Sequence, residues 1–270
     1  MNETTPPGVM EVRSSREGPV AILTIDNQAR KNALSLAIRQ GLVAHLRALN
    51  VDPTCRAIVI TGAGGFFSAG GDVKTMRDRG ERDTTTEGVI DRRINLAESQ
   101  EMARLLLNGP KPVITAVEGF AYGAGLALAM SSDYTVAARD ARFCAAQVLR
   151  GLSPDGSLYY VMAMRAGPGR ARDLLLSGRV IDGAQAERYG VVHELVESGG
   201  ALQRAIDYAR QFARIPPLAV AAVRAALTDS YQALEACHRA ERDIAPLLSG
   251  SAEHREAVRA FLEKREPVFD

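Results

Sequence analysis

One stretch, residues 111–138, constrains the fold of this chain more than any other. Residues 112–117 are apolar and rich in β-branched side chains, and they stop before Gly119, which predicts a short buried β-strand. A glycine-spaced turn over 122–125 follows and opens a helix of small residues, predicted over 126–131. Because the amides at a helix start have no intrahelical partner, such a turn can hold a developing negative charge.

The segments around this stretch alternate between strand and helix patterns. Ser35 is the predicted N-cap of an amphipathic helix, in which the following apolar residues recur at helical spacing: Ile38, Leu42, Val43, Leu46 and Leu49. Further strands are predicted over 20–25, 57–61, 133–138, 141–143 and 191–196, and further helices over 87–107, 158–166, 170–176 and from Asp182 to Tyr189. The pattern is helical only from Ala201 onward. This order predicts an α/β core over residues 1–200 and a C-terminal helical region over 201–270.

The composition excludes several classes of protein. Apolar residues make up 46% and charged residues 24% of the chain, which supports a folded core. The net charge of +1 creates no field that favours nucleic acid or an anionic membrane. The three cysteines and four histidines show no metal-ligand spacing, so no metal site is expected, and the cysteine content fits a reducing cytoplasm. No signal peptide or membrane-spanning run is visible. We therefore expect a soluble cytoplasmic protein without nucleic-acid or membrane partners.

Two glycine-rich turns follow predicted buried strands, one over 62–72 and the other over 122–125. Neither completes a dinucleotide-binding fingerprint, because Phe67 and Leu128 stand where the third glycine is needed, and the sequence holds no phosphate-loop motif. Ser68 misses the Gly-x-Ser-x-Gly nucleophile elbow by one residue. Two such turns can instead present one backbone amide each to the same oxygen, which makes an oxyanion hole. The simpler alternative is that the glycines only serve tight turns.

Four blocks of the sequence resemble the crotonase family, the enoyl-CoA hydratases and isomerases. The blocks are Lys31–Leu34, Phe67–Val73, Lys111–Ala129 and Gly151–Gly156, and the resemblance extends in order over residues 12–269. It implies an α/β fold built as a crotonase-like spiral of ββα units, with a C-terminal helical trimerisation region. It also implies a homotrimer, or a homohexamer that is a dimer of trimers.

The resemblance also implies which residues bind an acyl-CoA substrate. Gly71 and Ala124 would supply the two oxyanion-hole amides for the thioester carbonyl, and alanine is no obstacle because only its N–H acts. The other substrate contacts would be Lys31, Ala33, Ala69, Asp72, Val73, Tyr122, Gly123 and Gln147, with Gly71 itself among them. Phe261 and Lys264 would either reach the CoA of a neighbouring subunit or serve packing. Because coenzyme A is part of the substrate, we expect no separate cofactor.

Two positions depart from the family's hydratases, which carry glutamates where this chain has Ala127 and Gln147. Hydration needs one group to activate water and another to deliver a proton. Alanine does neither, and the amide of Gln147 can orient a substrate or a water molecule without transferring protons. We therefore expect ordinary hydration to be impaired.

Asp155 is the remaining candidate base. It matches the position at which several family isomerases carry their acting aspartate, and a single carboxylate is enough for a 1,3-proton shift once an oxyanion hole stabilises the enolate. We expect Leu152, Pro154 and Phe120 to exclude water from Asp155 and strengthen it as a base. The alternative is that Asp155 only caps the helix that starts near Ser157.

Three other acidic residues have simpler interpretations. We expect a hydrogen-bonding structural role for Glu118 and a solvated helix face for Glu98 and Glu101.

With Asp155 as the candidate base, the resemblance implies an enoyl-CoA isomerase, in fatty-acid or aromatic-acid breakdown. The alternatives are an enoyl-CoA hydratase with atypical catalytic residues and a catalytically silent acyl-CoA-binding oligomer. Thioester hydrolysis or dehalogenation through an aspartate nucleophile lacks a histidine next to Asp155 in the sequence.

Overall fold

The computed structural model describes residues 11–72, 98–150 and 154–230, together with residues 263, 265 and 268. A six-stranded sheet with the order β1-β2-β3-β4-β6-β9 forms its centre, and β5, β7 and β8 form a second, three-stranded sheet. The strands are β1 (Glu11–Glu17), β2 (Val20–Asp26), β3 (Ala57–Gly62), β4 (Val113–Val117), β5 (Phe120–Tyr122), β6 (Tyr134–Ala138), β7 (Arg142–Cys144), β8 (Ile181–Asp182) and β9 (Glu194–Val196). In the large sheet β1 pairs antiparallel with β2, and the other pairs are parallel.

Helices cover both faces of the large sheet. Those of the described residues are α1 (Leu36–Val51), α2 (98–108), α3 (Ala124–Met130), α4 (Leu158–Ser177), α5 (Gly183–Arg188), α6 (Ala201–Arg210) and α7 (Pro217–Ser230). Side chains of a strand point alternately to its two faces. On β3, Ile58 and Ile60 therefore join the core that also includes α1, α3 and α4 residues, whereas Val59 joins the core beneath α6. Within the described ranges, no helix is long and apolar enough to cross a membrane.

The predicted starts of two helices are confirmed closely. Ser35 caps α1, and its hydroxyl accepts a hydrogen bond from the Ile38 amide at 3.3 Å. All five apolar positions that predicted this helix are buried. Asp182 caps α5 and forms a reciprocal capping box with Gln185. Local capping chemistry and apolar spacing were sufficient to place these helices.

Several elements differ from the sequence prediction, and the short strands β5 and β8 are absent from it. Helix α3 begins at Ala124, two residues early, because Gly123 takes a positive φ (51°) that ends the preceding turn at once. Helix α4 spans both predicted segments, with a break at Gly167 (φ 77°). Strand β9 is shorter than predicted. Strand β1 was missed because its sequence is polar: it is an edge strand held by backbone pairing to β2, which needs no apolar pattern. The domain boundary at residue 200 stays a prediction, although α6 packs directly on the sheet.

Glu118 joins the end of β4 to the start of α6. Its carboxylate accepts hydrogen bonds from the Gly199 amide at 3.0 Å and from the Ala201 amide at 2.9 Å. A negative charge at this position also interacts favourably with the helix dipole. Glu118 therefore has the hydrogen-bonding structural role that the sequence suggested.

We expect Glu118→Ala to lower the free energy of unfolding by about 1–2 kcal/mol, since the start of α6 loses its acceptor. Urea denaturation followed by circular dichroism measures this. Glu197→Ala is the matched control, because Glu197 pairs with Arg139 in an exposed contact, and its loss should cost less than about 0.5 kcal/mol. Equal losses for the two variants would contradict the role given to Glu118.

Candidate active site

Two buried polar side chains tie the loop before α1 to the glycine-rich loop after β3. The side-chain amide of Asn32 donates to the carbonyl oxygens of Ala63 (2.8 Å) and Phe66 (2.9 Å). The Ser68 hydroxyl donates to the Asn32 carbonyl at 2.8 Å and accepts from the Gly70 amide at 3.1 Å. Asn32 and Ser68 are both fully buried. We call these contacts the Asn32–Ser68 network; they fix the path of the glycine-rich loop.

Ser68 also connects this loop to β5. Its amide donates to the Phe120 carbonyl and its carbonyl accepts from the Tyr122 amide, each at 3.0 Å. Helix α3 approaches the same residue so closely that a Cβ added to Gly125 would lie 2.7 Å from the Ser68 Cβ. Only glycine fits there. The small residues that mark the start of α3 in the sequence are therefore required by this close contact.

The two predicted oxyanion-hole amides lie in adjoining loops. Gly70 has a positive φ of 88°, and a Cβ added to it would lie 2.4 Å from the Tyr122 carbonyl oxygen and 3.2 Å from the Ala124 nitrogen. Gly71, the next residue, is thereby brought beside the start of α3. Among the described residues, no backbone carbonyl accepts a hydrogen bond from the amide of Gly71 or Ala124. Within the described part of the chain, both N–H groups are thus without a backbone acceptor.

Three side chains that stood out in the sequence gather around the same turn. The Gln147 amide packs on Gly123, where an added Cβ would lie 3.7 Å from both its Cδ and its Oε1. Its Nε2 donates to Asp155 Oδ1 at 3.4 Å. A Cβ added to Gly156 would lie 3.5 Å from the Ala127 Cβ, so the loop carrying Asp155 also contacts α3. The positions that depart from a hydratase and the remaining carboxylate are thus neighbours.

The backbone and the carboxylate of Asp155 make different contacts. Its carbonyl oxygen accepts from the Leu158 amide at 3.2 Å, which closes the turn before α4. The N-cap residue of α4 is Ser157, in a left-handed conformation (φ 68°) and without a side-chain capping bond. The half-buried Asp155 directs its carboxylate to Gln147 instead. Pro154 is also half-buried, and Leu152 lies outside the described residues.

The predicted CoA-contacting residues Lys31, Ala33, Ala69 and Asp72 belong to the two loops that the Asn32–Ser68 network joins. The carbonyl of Lys31, an exposed residue, accepts from the Ala69 amide at 2.9 Å. Ala33 is buried, and Asp72 forms an ion pair with Arg30. The predicted contacts Val73, Phe261 and Lys264 lie outside the described residues.

Aromatic rings line the region next to the turn. Phe120 stacks on Phe66 with ring centroids 5.4 Å apart and contacts Tyr122 at 5.3 Å. Burial raises the pKa of the Tyr122 hydroxyl above its usual range, and the neighbouring Cys144 adds to this. Tyr122 therefore stays neutral near pH 7 and offers an aromatic surface and an O–H group rather than a charge.

The other predicted acids lie in a cleft between α1 and α2. Glu101 accepts hydrogen bonds from Arg47 at 3.0 Å and from Arg104. The Arg47 bond is the main reason that the pKa of Glu101 is lowered. Glu98 lines the same open cleft. No group of three or more metal-binding side chains occurs in the part of the chain that the structure describes.

The structural importance of Asn32 and Ser68 could not be read from the sequence alone. The sequence invites comparison of Ser68 only with a nucleophile motif, yet its hydroxyl is fully buried and bonded to Asn32 and Gly70. For Ser68 the available signal is a polar side chain between Phe67 and Ala69 in a glycine-rich block. Asn32 also has a positive φ of 54°, which asparagine tolerates better than most residues.

Comparison with known proteins identifies the family to which this fold and these converging loops belong. The sequence profile of the enoyl-CoA hydratase/isomerase family matches residues 15–270. The chain therefore belongs to this family, within the crotonase superfamily, whose members act on CoA thioesters. The family and the α/β fold inferred from the sequence are confirmed.

Individual relatives carry both of the family's named activities. The chain is 35% identical over 260 residues to 2,3-dehydroadipyl-CoA hydratase of Escherichia coli K12, covering 96% of this chain and 98% of that protein. It is 32% identical over 259 residues to 1,2-epoxyphenylacetyl-CoA isomerase of the same organism, covering 96% and 97%. The crystal structure of an enoyl-CoA hydratase from Polaromonas sp. JS666 superposes with a TM-score of 0.89 at 31% identity, covering 96% of this chain and all of that one. Since relatives of both kinds are similar to this chain, the choice between the two reactions has to be argued from its active-site residues.

We expect Gly70→Ala to reduce turnover of an acyl-CoA substrate by about a hundredfold or more, because its Cβ would push the two amide-bearing loops apart. Gly65→Ala is the matched control: Gly65 also has a positive φ (79°), but an added Cβ meets nothing within 4 Å. It should carry the backbone strain alone and change turnover by about twofold at most. Steady-state kinetics measures turnover, and a thermal melt checks that each variant folds. An equal loss of turnover in the two variants would contradict the arrangement.

Proposed function

We propose that this protein is an enoyl-CoA isomerase that moves a carbon–carbon double bond within an acyl thioester. One observation carries the proposal: of Ala127, Gln147 and Asp155, which surround the turn at Gly123, only Asp155 can ionise. A 1,3-proton shift needs one group that accepts and returns a proton, whereas hydration needs a second acid–base group.

The two loop amides would stabilise the intermediate. With a 3-enoyl-CoA bound, the thioester oxygen would accept hydrogen bonds from Gly71 and Ala124. Asp155 would take the proton from C2, and the electron pair of that C–H bond would delocalise onto the thioester oxygen as a dienolate. The same carboxyl group would return the proton to C4, which leaves the double bond between C2 and C3. Removing one donor of this kind typically costs about a hundredfold to a thousandfold in rate.

Hydration of a 2-enoyl-CoA is the second candidate function. The buried side-chain oxygen of Gln147 could orient a water molecule next to Asp155, and the relative at 35% identity is named as a hydratase. In this reaction Asp155 would have to act on water without either of the hydratase glutamates, since Ala127 and Gln147 stand in their places. That absence is why we favour the isomerase.

We also propose that the chain forms a homotrimer or a homohexamer, in line with the family resemblance. Val223 and Leu227, one helical turn apart on α7, are 57% and 49% exposed. An exposed apolar pair on one side of a helix suits a protein–protein contact. The absence of a separate cofactor and the cytoplasmic location stay predictions.

The central test is Asp155→Asn. We expect turnover of a 3-enoyl-CoA, followed as the gain in absorbance of the conjugated thioester, to fall by about a thousandfold. The dissociation constant of a saturated acyl-CoA should stay within about threefold, because the amide keeps the size of the side chain. Asp140→Asn, at an exposed position, is the control and should leave both quantities unchanged.

Two outcomes would contradict this proposal. Retained turnover in Asp155→Asn would remove Asp155 as the base. Loss of conjugated-thioester absorbance when wild-type protein receives a 2-enoyl-CoA, with no reaction of the 3-enoyl-CoA, would instead establish the hydratase.

A further inference from the structure

We propose that Arg170, Arg179, Arg188 and Tyr189 form a binding site for a phosphate group, either as the free ion or carried by a small phosphorylated molecule. We call these four residues the Tyr189 cluster. None of them belongs to the acyl-CoA site described above, so this inference goes beyond the proposed function and is tested independently of it.

Three guanidinium groups converge on one aromatic ring. The Cζ atoms of Arg170, Arg188 and Arg179 lie 4.9, 5.3 and 5.9 Å from the centroid of the Tyr189 ring. Arg170 comes from α4, Arg179 from the link between α4 and β8, and Arg188 from the last turn of α5. Tyr189 is the C-cap residue of α5. The contacts of Arg170 and Arg179 with this ring therefore depend on the tertiary fold.

The cluster carries more positive charge than the groups that pair with it compensate. Asp173 Oδ2 accepts hydrogen bonds from Arg179 Nη2 at 2.7 Å and from Nε at 3.1 Å. Within the part of the chain that the structure describes, Arg170 and Arg188 form no ion pair. Three cations and one carboxylate leave a net charge of +2 around one ring. A bound dianion would balance this charge.

The position of Arg170 is unfavourable for α4 itself. Gly167, with a φ of 77°, interrupts this helix, and the helical segment after it begins with Pro168. Arg170 thus lies in the first turn of that segment, where the helix dipole disfavours a cation and favours an anion. An anion bound next to Arg170 would offset this unfavourable interaction.

The Tyr189 hydroxyl adds a donor of a different kind. Hydrogen bonds from Arg179 and from Arg188 lower the pKa of this hydroxyl below its usual range. A phenol oxygen that accepts hydrogen bonds can still donate its own proton while it remains neutral. The cluster therefore supplies one O–H donor in addition to the guanidinium N–H donors.

The charge and the number of donors favour phosphate over a carboxylate. A single guanidinium group is enough to bind both oxygens of a carboxylate. A phosphate group has at least three acceptor oxygens and carries up to two negative charges. It can therefore accept from several arginines at once, and its charge matches the +2 of the cluster and Asp173 together.

Calorimetric titrations of the wild-type protein with inorganic phosphate, methyl phosphate and acetate test the inference. We expect one phosphate group to bind per chain, about tenfold or more tightly than acetate, because acetate lacks the second negative charge and the additional acceptor oxygen. Tighter binding of inorganic phosphate than of methyl phosphate would assign the free ion. The reverse order would assign a phosphorylated molecule.

Arg170→Gln and Arg188→Gln each remove one guanidinium group from an exposed position. Each should weaken phosphate binding about tenfold, the usual effect of one hydrogen bond between charged groups. Arg172→Gln is the matched control, because Arg172 is also exposed on α4 but lies two positions from Arg170, and residues at this spacing do not face each other. Its phosphate affinity should stay unchanged.

Failure of the wild-type protein to bind either phosphate compound would overturn the inference, and so would equal affinities for phosphate and acetate. Neither result depends on a variant. A phosphate affinity that stays unchanged in both Arg170→Gln and Arg188→Gln would place the anion elsewhere and overturn the assignment as well. Since no acyl-CoA enters these titrations, none of their results bears on the proposed isomerase.

Discussion

The hydrogen bonds of the Asn32–Ser68 network are the contacts on which the rest of the site depends. They hold the loop before α1 to the glycine-rich loop after β3, and the backbone of Ser68 pairs with strand β5. A pair of amides from separate loops can act on one oxygen only if the loops cannot move apart. Buried, fully bonded polar side chains supply that rigidity better than apolar packing, because each bond also specifies direction.

Close packing of the backbone follows from the same requirement. Gly70 and Gly125 stand where any side chain would collide with Tyr122 or Ser68. The positive φ of Gly123 lets α3 begin immediately after the turn, so that the first amide of the helix, at Ala124, stays without an intrahelical partner. The glycine spacing is thus a consequence of bringing two chain segments within van der Waals distance. On the opposite side, Gln147 links this turn to Asp155.

The sequence correctly predicted those features that depend on a single helix, strand or turn. Apolar spacing and Ser35 predicted α1, and the strand–turn–helix pattern after Lys111 predicted the position of Ala124 beside a glycine turn. The convergence of this turn with Gly70, and the packing of Gln147 on Gly123, depend on contacts between segments that are distant in the sequence. No local pattern encodes them. The polar edge strand β1 was missed for a related reason, since its pairing with β2 uses backbone groups that every residue carries.

A crystal structure of the protein with a saturated, unreactive acyl-CoA would test the central claim most directly. The account predicts that the thioester oxygen lies about 3 Å from the amide nitrogens of both Gly71 and Ala124. It also predicts that the Asp155 carboxylate faces C2 of the acyl chain. A thioester oxygen that contacts only one of these amides, or an Asp155 side chain turned away from the acyl chain, would contradict it.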